Sequence, residues 1–129
     1  MEIKPHKIEE YQFIRSYDSN GFLVSGVNFT GPILISKEQT FNWNFKNKIE
    51  TMTFSDVSKI NEIQDIDVLL IGTGKTFKMI SNDFRAALRS NGIGVESMDT
   101  PAACRTYNVL ITEARGVVGA ILPNSSIIQ

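Results

Sequence analysis

Apolar and polar residues alternate in short segments along the first half of the chain, and this period of two is typical of strands with one covered face. In the last of these segments the alternation places three aromatic residues, Phe41, Trp43 and Phe45, on one side. Turn-forming residues at 18–21 separate the first two segments. The predicted strands are residues 11–17, 22–25, 33–35 and 41–45. We therefore predict an N-terminal antiparallel β layer with one covered side.

The second half of the chain changes to strands that alternate with helices. Residues 68–71 form a continuous apolar run, which predicts a strand covered on both faces at the centre of a sheet. Ser81 is placed to cap a helix that ends at residues 91–92, and residues 93–98 predict the next strand. Strand, helix and strand in this order predict a βαβ unit with parallel strands.

Two other helices and a last strand complete the predicted elements. A short helix is expected to begin at residues 55–57. Thr100 and Pro101 predict the cap and the first residue of another helix, which continues to about Ala114. Its apolar stripe comprises Ala103, Tyr107, Leu110, Ile111 and Ala114. Residues 117–122 predict a buried strand whose direction the sequence leaves open. Together these elements predict a single α/β domain over residues 1–129.

Composition and charge exclude several classes of protein. The 129 residues include 42% hydrophobic side chains, enough to build one core, and no low-complexity segment. With 13 basic and 14 acidic side chains the net charge is -1, so the chain has no electrostatic footprint for nucleic acid. The longest apolar run, residues 68–71, is far too short to span a membrane. The single cysteine and the absence of a recognisable signal or transit segment lead us to expect a cytoplasmic location.

Candidate chemistry lies in two loops that follow the predicted parallel strands. In open α/β sheets ligands bind beyond the carboxyl ends of such strands. The first loop contains Gly72, Thr73, Gly74 and Lys75, and the second contains Asp99 and Thr100. Asp99 facing Lys75 would bind or polarise a small molecule, whereas the alternative is that this acid only complements a helix dipole.

Residues 74–76 also resemble the end of a phosphate-binding loop. The match fails because Leu69 stands where the motif needs its first glycine, and no helix follows directly. A tight turn after the strand is the alternative. We expect no cofactor and no metal, since His6 and Cys104 are the only histidine and cysteine and cannot form the usual zinc site.

The helix predicted from Thr100 to about Ala114 offers two further candidates. Cys104 lies one turn into it, where the helix dipole and Arg105 would activate a thiol, although a buried, inert thiol is the alternative. Arg105 and Asn108 are predicted on the polar face, which is interrupted by Val109, an exposed apolar residue. This face is either a docking surface or simply solvated.

Three segments resemble a known family. Residues 26–32, 67–74 and 92–110 are similar to signatures of the Mth-domain family, a domain of unknown function. That family includes a mitochondrial assembly factor of respiratory complex I and an adipogenesis-associated protein. The resemblance implies a three-layer α/β fold with a mixed central sheet and an added antiparallel β layer.

The resemblance, with no catalytic set in the sequence, favours a non-catalytic protein-binding or assembly module, with a role in complex I biogenesis. An enzyme or small-ligand-binding protein that uses the strand-end loops is the alternative. The first hypothesis implies a protein partner and the second a small molecule. Neither fixes an oligomeric state.

Overall fold

The computed structural model of the protein describes residues 10–113 and 116–125, and within them the chain forms eight strands and two α-helices. The strands are β1 (Ile14–Tyr17), β2 (Gly21–Val24), β3 (Val27–Thr30), β4 (Ile33–Ser36), β5 (Thr40–Asn42), β6 (Val68–Gly72), β7 (Gly94–Met98) and β8 (Val117–Ile121). The α-helices are α1 (Asn82–Arg89) and α2 (Thr100–Leu110), and two 3-10 helices cover Ile49–Thr51 and Phe54–Glu62.

The strands form two sheets. The small sheet is antiparallel, in the order β1-β2-β3, and the large sheet has the order β5-β4-β8-β6-β7. Strand β8 runs parallel to β6 and antiparallel to β4, which decides the direction that the sequence left open. Strands β6 and β7 are parallel, as the predicted βαβ unit requires.

Both faces of the large sheet are covered, which confirms the predicted three-layer architecture. One face packs against the small sheet and α2 through a core that includes Ile33, Leu70 and Tyr107. The other face packs against α1 and the 3-10 helices through a core that includes Leu69 and Phe84. Adjacent residues of one strand therefore point into different cores, as expected for strands without a solvent-exposed side.

Two predictions about strand position are wrong. The segments predicted at 33–35 and 41–45 contain β4 and β5, which belong to the large sheet and not to the N-terminal layer. Strand β3, which completes the small sheet, is absent from the predicted strands. The centre of the large sheet is β8, whereas β6 lies between β8 and the edge strand β7. An apolar run has the same appearance in any interior strand, and long-range pairing alone sets the order.

The strand predicted at residues 41–45, which carries three aromatic residues, is shorter than predicted. Strand β5 ends at Asn42, and Trp43 and Phe45 follow it in an irregular segment. Both rings still pack in the core with Phe41, and the Trp43 and Phe45 rings stack with centroids 4.5 Å apart. The indole N–H of Trp43 donates to the carbonyl of Asp56 at 2.7 Å, which attaches this segment to the second 3-10 helix.

Of the two predicted α-helix caps, one is correct and the other is wrong by one residue. Ser81 caps α1 as expected, accepting a hydrogen bond from the Phe84 amide at 3.0 Å. The cap of α2 is Asp99, whose carboxylate accepts from the Ala102 amide at 2.9 Å, and not Thr100. The helix predicted from residues 55–57 is a 3-10 helix that follows Thr53. Helix α2 ends at Leu110, and the predicted end at residue 114 lies outside the described residues.

Two glycines that lie close to the backbone just before β6 provide a matched test of how tightly the strand starts of the large sheet pack. An added Cβ at Gly116 would overlap the carbonyl oxygen of Asp65, whereas one at Gly94 would lie 3.7 Å from the carbonyl oxygen of Asp67. We expect Gly116→Ala to lower the free energy of unfolding by about 3 kcal/mol, because the backbone must move to accept the methyl group. Gly94→Ala should stay within roughly 1 kcal/mol of the wild type. Urea denaturation measures both, and equal losses would contradict the packing.

Candidate functional site

Three parallel strands end on the same side of the large sheet, and their loops adjoin. The loops that follow β6 and β7 are joined directly, since the Thr73 amide donates to the Met98 carbonyl at 2.9 Å and the Thr100 amide donates to the Gly74 carbonyl at 2.8 Å. The chain after β8 joins them, with the Leu122 amide donating to the Gly72 carbonyl at 2.9 Å. The structure thus brings together the two loops that the sequence singled out.

Thr100 is the centre of this junction. Its side chain is fully buried, and its hydroxyl donates to the Leu122 carbonyl at 2.6 Å while accepting from the Gly74 amide at 2.9 Å. Gly74 has a φ of +94°, a conformation that favours glycine, and an added Cβ would lie 3.0 Å from the Ser125 carbonyl oxygen. One hydroxyl therefore links the loops after all three strands.

The first loop is shaped by its own residues. Gly72 lies against α2 and β8, where an added Cβ would be 2.6 Å from the Cγ2 of Ile121. The buried Thr73 hydroxyl donates to the Thr76 carbonyl at 2.8 Å and accepts from the Lys78 amide at 3.2 Å. This hydrogen bonding forms the tight turn given above as the alternative to a phosphate loop, and the next helix begins only at Asn82.

The two charged candidates at the junction differ in their surroundings. Lys75 is exposed, and its backbone amide donates to the Ser125 carbonyl at 3.1 Å. Asp99 is half-buried, and its carboxylate caps α2. Capping is the role that the alternative hypothesis gave to this acid, since a carboxylate at a helix N-terminus interacts favourably with the helix dipole.

Cys104 faces the core between α2 and the large sheet. Only 3% of its surface is exposed, and burial raises the pKa of the thiol to about 12, although the neighbouring Arg105 charge acts in the opposite direction. A thiol with this pKa is protonated at neutral pH, and the thiolate is the nucleophilic form. The geometry therefore corresponds to the alternative of a buried, inert thiol.

Asn108 does not lie on a free face of α2. Its side-chain amide donates to the carbonyl of Ile14 at 2.9 Å and accepts from the amide of the same residue at 3.0 Å, which is the bonding that a neighbouring strand would supply. The Tyr107 hydroxyl adds a bond to the Gln12 carbonyl at 2.7 Å. Helix α2 is therefore attached to the small sheet, a role that no local sequence pattern indicates.

Arg105 and Val109 remain on the outside of α2. Arg105 is exposed, and Val109 keeps 57% of its surface accessible. The two residues are four positions apart, so they lie on the same face of the helix. Both side chains are therefore accessible on the outer face of α2, whereas the Asn108 side chain is bonded to β1.

Two clefts among the described residues lie away from this junction. One of about 40 Å³ is bordered by the β4–β5 turn and residues 63–66, and another of about 220 Å³ lies on the small sheet. Neither is lined by a residue of the predicted site. Within residues 10–113 and 116–125 no group of acidic, histidine or cysteine side chains could hold a metal ion. In the same ranges no helix combines the length and apolar character needed to cross a membrane.

A family model described as a protein of unknown function (DUF498/DUF598) matches residues 14–122. The chain belongs to this family. The DUF498/DUF598 chain is 29% identical to NADH dehydrogenase (ubiquinone) 1 alpha subcomplex assembly factor 3 of Xenopus tropicalis over 115 residues, which are 88% of this chain and 62% of that protein. It thus spans less than two thirds of the length of this relative.

Solved structures of relatives have the same fold. A Bordetella parapertussis protein superposes with a TM-score of 0.78 at 32% identity, covering 88% of this chain and 96% of that one. A Bordetella pertussis protein described as a Mth938-like domain gives a TM-score of 0.75 at 26% identity, covering 97% of this chain and 92% of that one. These findings confirm the resemblance to the Mth-domain family that the sequence motifs indicated.

The attachment of α2 to β1 can be tested by removing the Asn108 amide. We expect Asn108→Ala to lower the free energy of unfolding by roughly 1–3 kcal/mol, because both backbone polar groups of the buried Ile14 lose their partner. Arg105→Ala on the same helix is the control and should change the value by less than about 0.5 kcal/mol. Urea denaturation provides the comparison. Equal values for the two variants would show that the amide does not attach the strand.

Burial of Cys104 predicts a dependence of stability on pH. The pKa of the thiol is raised from 9.0 to about 12 in the folded state, so the folded protein binds the proton more tightly than the unfolded chain. This contribution is complete below pH 9 and is lost as the pH rises towards 12. The free energy of unfolding should therefore fall with pH in this window, and less steeply in Cys104→Ala.

Thiol labelling separates this outcome from a reactive cysteine. At pH 8 an aromatic disulfide reagent should label the native protein roughly 100-fold more slowly than the urea-unfolded chain. Rapid labelling of the native protein would contradict the buried thiol, as would parallel pH profiles for the wild type and Cys104→Ala.

Proposed function

We propose that this chain is a non-catalytic protein-binding module that assists the assembly of a respiratory NADH dehydrogenase. The observation that carries the proposal is the similarity over 88% of the chain to proteins named as assembly factors of that complex. The proposal gives the chain a protein partner and a cytoplasmic site of action.

The geometry at the strand ends supports a protein-binding role over the alternative of a site for a small ligand. The polar groups of Thr73, Gly74 and Thr100 are already used by the loops themselves. The thiol of Cys104 is buried, and neither of the two clefts described above reaches this junction. A small ligand would have to displace hydrogen bonds that hold three strands together, which costs free energy for each buried group left unpaired.

The exposed pair Arg105 and Val109, called here the α2 surface, is the contact region that we propose. The helix beneath it is rigid, since Cys104 and Tyr107 are buried in the core and Asn108 is bonded to β1. A rigid surface loses little conformational entropy when a partner binds. An exposed valine beside a guanidinium suits a partner that offers an apolar contact flanked by a carboxylate.

Affinity purification from the native host tests the α2 surface. We expect the tagged wild type to retain subunits of the NADH dehydrogenase. With Arg105→Glu or Val109→Asp, the amount of co-purified subunits should fall at least about tenfold. Arg89→Glu is the matched control, because Arg89 is exposed on α1, which packs on the opposite face of the large sheet. Equal recovery with all variants would rule out the α2 surface.

A deletion strain tests the assembly role independently. Membranes from cells without this chain should contain less assembled NADH dehydrogenase and oxidise NADH more slowly, and a plasmid copy of the wild type or Arg89→Glu should restore both. Native gels and NADH oxidation by isolated membranes measure the effect. Unchanged assembly in the deletion strain would refute the proposed role, whatever partners the purification finds.

A further inference from the structure

Strand β3 is an edge strand of the small sheet, and no other strand of the described residues pairs with its outer side. The Gly31 amide donates to the Asn20 carbonyl at 2.7 Å, and Phe29 and Val27 are opposite Phe22 and Val24 in the same register. Because hydrogen-bonded pairs alternate along an antiparallel ladder, Val27 and Phe29 bond to β2 and the backbone groups of Asn28 and Thr30 point outward. No described residue bonds to those outward groups.

Other sheet edges in the described part of the chain are covered or short. At β1 the Asn108 amide occupies the backbone groups of Ile14, and at β7 the Arg85 guanidinium donates to the Val95 carbonyl. Strand β5 has only three residues. Proteins commonly protect edge strands in these ways, since an uncovered edge can pair with another chain. Strand β3 lacks such protection among the described residues.

The side chains of β3 also suit pairing. Residues 25–32 contain no charged side chain, although charge is the usual means of keeping an edge apart from other strands. Val27 keeps 55% of its surface exposed, and Phe29 is only partly buried. Asn28 and Thr30 are exposed and offer hydrogen-bonding groups on one face. This segment is one of the three family signatures, and the proposed function leaves it unused.

We propose that β3 pairs antiparallel with β3 of a second copy of this chain. The strand is bounded by Gly26 and Gly31, which have φ of +91° and +84°, so only Asn28 and Thr30 present outward backbone groups within it. Placing Asn28 opposite Thr30 of the second copy satisfies these groups on both chains, since each such pair exchanges two backbone hydrogen bonds. Phe29 then meets its own copy on a two-fold axis.

A second copy is the occupant that the strand fits best. The arrangement is self-complementary, as two-fold interfaces require, because Asn28 and Thr30 exchange places under the rotation. Two identical strands meet no like charge, since neither carries one. The two small sheets become one continuous sheet, and Val27 and Phe29 lose exposed apolar surface. The contact is small, so we expect a weak dimer that depends on protein concentration. This inference is independent of the proposed function.

Disulfide trapping tests the register. In the proposed dimer the two Phe29 positions form a non-hydrogen-bonded pair with Cα atoms about 4.5 Å apart, within the range that a disulfide spans. Phe29→Cys should therefore give an intermolecular disulfide under mild oxidation. Val27→Cys is the matched control, because its two copies would be about 13 Å apart. The wild-type Cys104 is buried and should not cross-link. Equal trapping of the two variants would refute this register.

Sedimentation of the wild type tests the dimer without a cysteine. We expect the mean mass to rise from one chain towards two as the concentration approaches about 1 mM. Asn28→Pro removes an outward amide without breaking the ladder to β2 and should remain a folded monomer, whereas Asn28→Thr keeps the amide and should still dimerise. Circular dichroism verifies the fold of both variants. A wild type that stays monomeric, or a dimer that persists in Asn28→Pro, overturns the proposal.

Discussion

The pairing of β8 with both β4 and β6 holds the two halves of this protein together. Strand β8 is the last of the described strands, yet it lies at the centre of the large sheet and all five of its residues are buried. Its antiparallel bonds to β4 connect it to the strand-rich first half, and its parallel bonds to β6 connect it to the βαβ unit. Without β8 the large sheet would separate into a hairpin and a two-stranded parallel piece, each too small to be stable in isolation.

The polar loops at the strand ends serve this arrangement. Thr100, Gly74 and Leu122 come from the ends of three different strands, and one buried hydroxyl joins them. A threonine and a glycine after parallel strands are also the residues that a ligand site would use. The sequence cannot distinguish the two uses, because the same donors and acceptors can bond to a ligand or to the next loop. The geometry supports the structural use, because these groups bond to one another across the loops.

The two edges of the small sheet differ in how firmly they are attached to the rest of the protein. Gln12, just before β1, attaches one edge of the small sheet through three hydrogen bonds. Its backbone N–H donates to the Lys37 carbonyl, and its backbone carbonyl accepts from the Tyr107 hydroxyl. Its side-chain oxygen accepts from the Thr40 hydroxyl. These bonds hold the β1 edge of the small sheet against α2, and β3 forms the opposite edge. The protein thus has an outer helix surface and an edge strand that no other described strand pairs with, and these are the two surfaces proposed above for contacts with another protein chain.

The sequence by itself determined most of the strands and both α-helices, the parallel βαβ unit, the helix cap at Ser81 and the proximity of the Gly72 and Asp99 loops, but it did not predict β3. Those features follow from local periodicity, capping chemistry and the direction of parallel strands, which act over a few residues or one crossover. The sequence also carried enough motif similarity to indicate the family. It misplaced β4, β5 and the centre of the large sheet, since the pattern of apolar residues in a strand does not identify its neighbours.

Only the tertiary structure decided which partners the candidate site residues contact. Asn108 bonds to Ile14, a residue 94 positions away, and Thr100 bonds to Leu122 after the last strand. Such partners are set by how the layers close on each other, and not by spacing along the chain. Burial of Cys104 has the same origin, because a thiol at the margin of a helix stripe becomes inert only when another layer covers it.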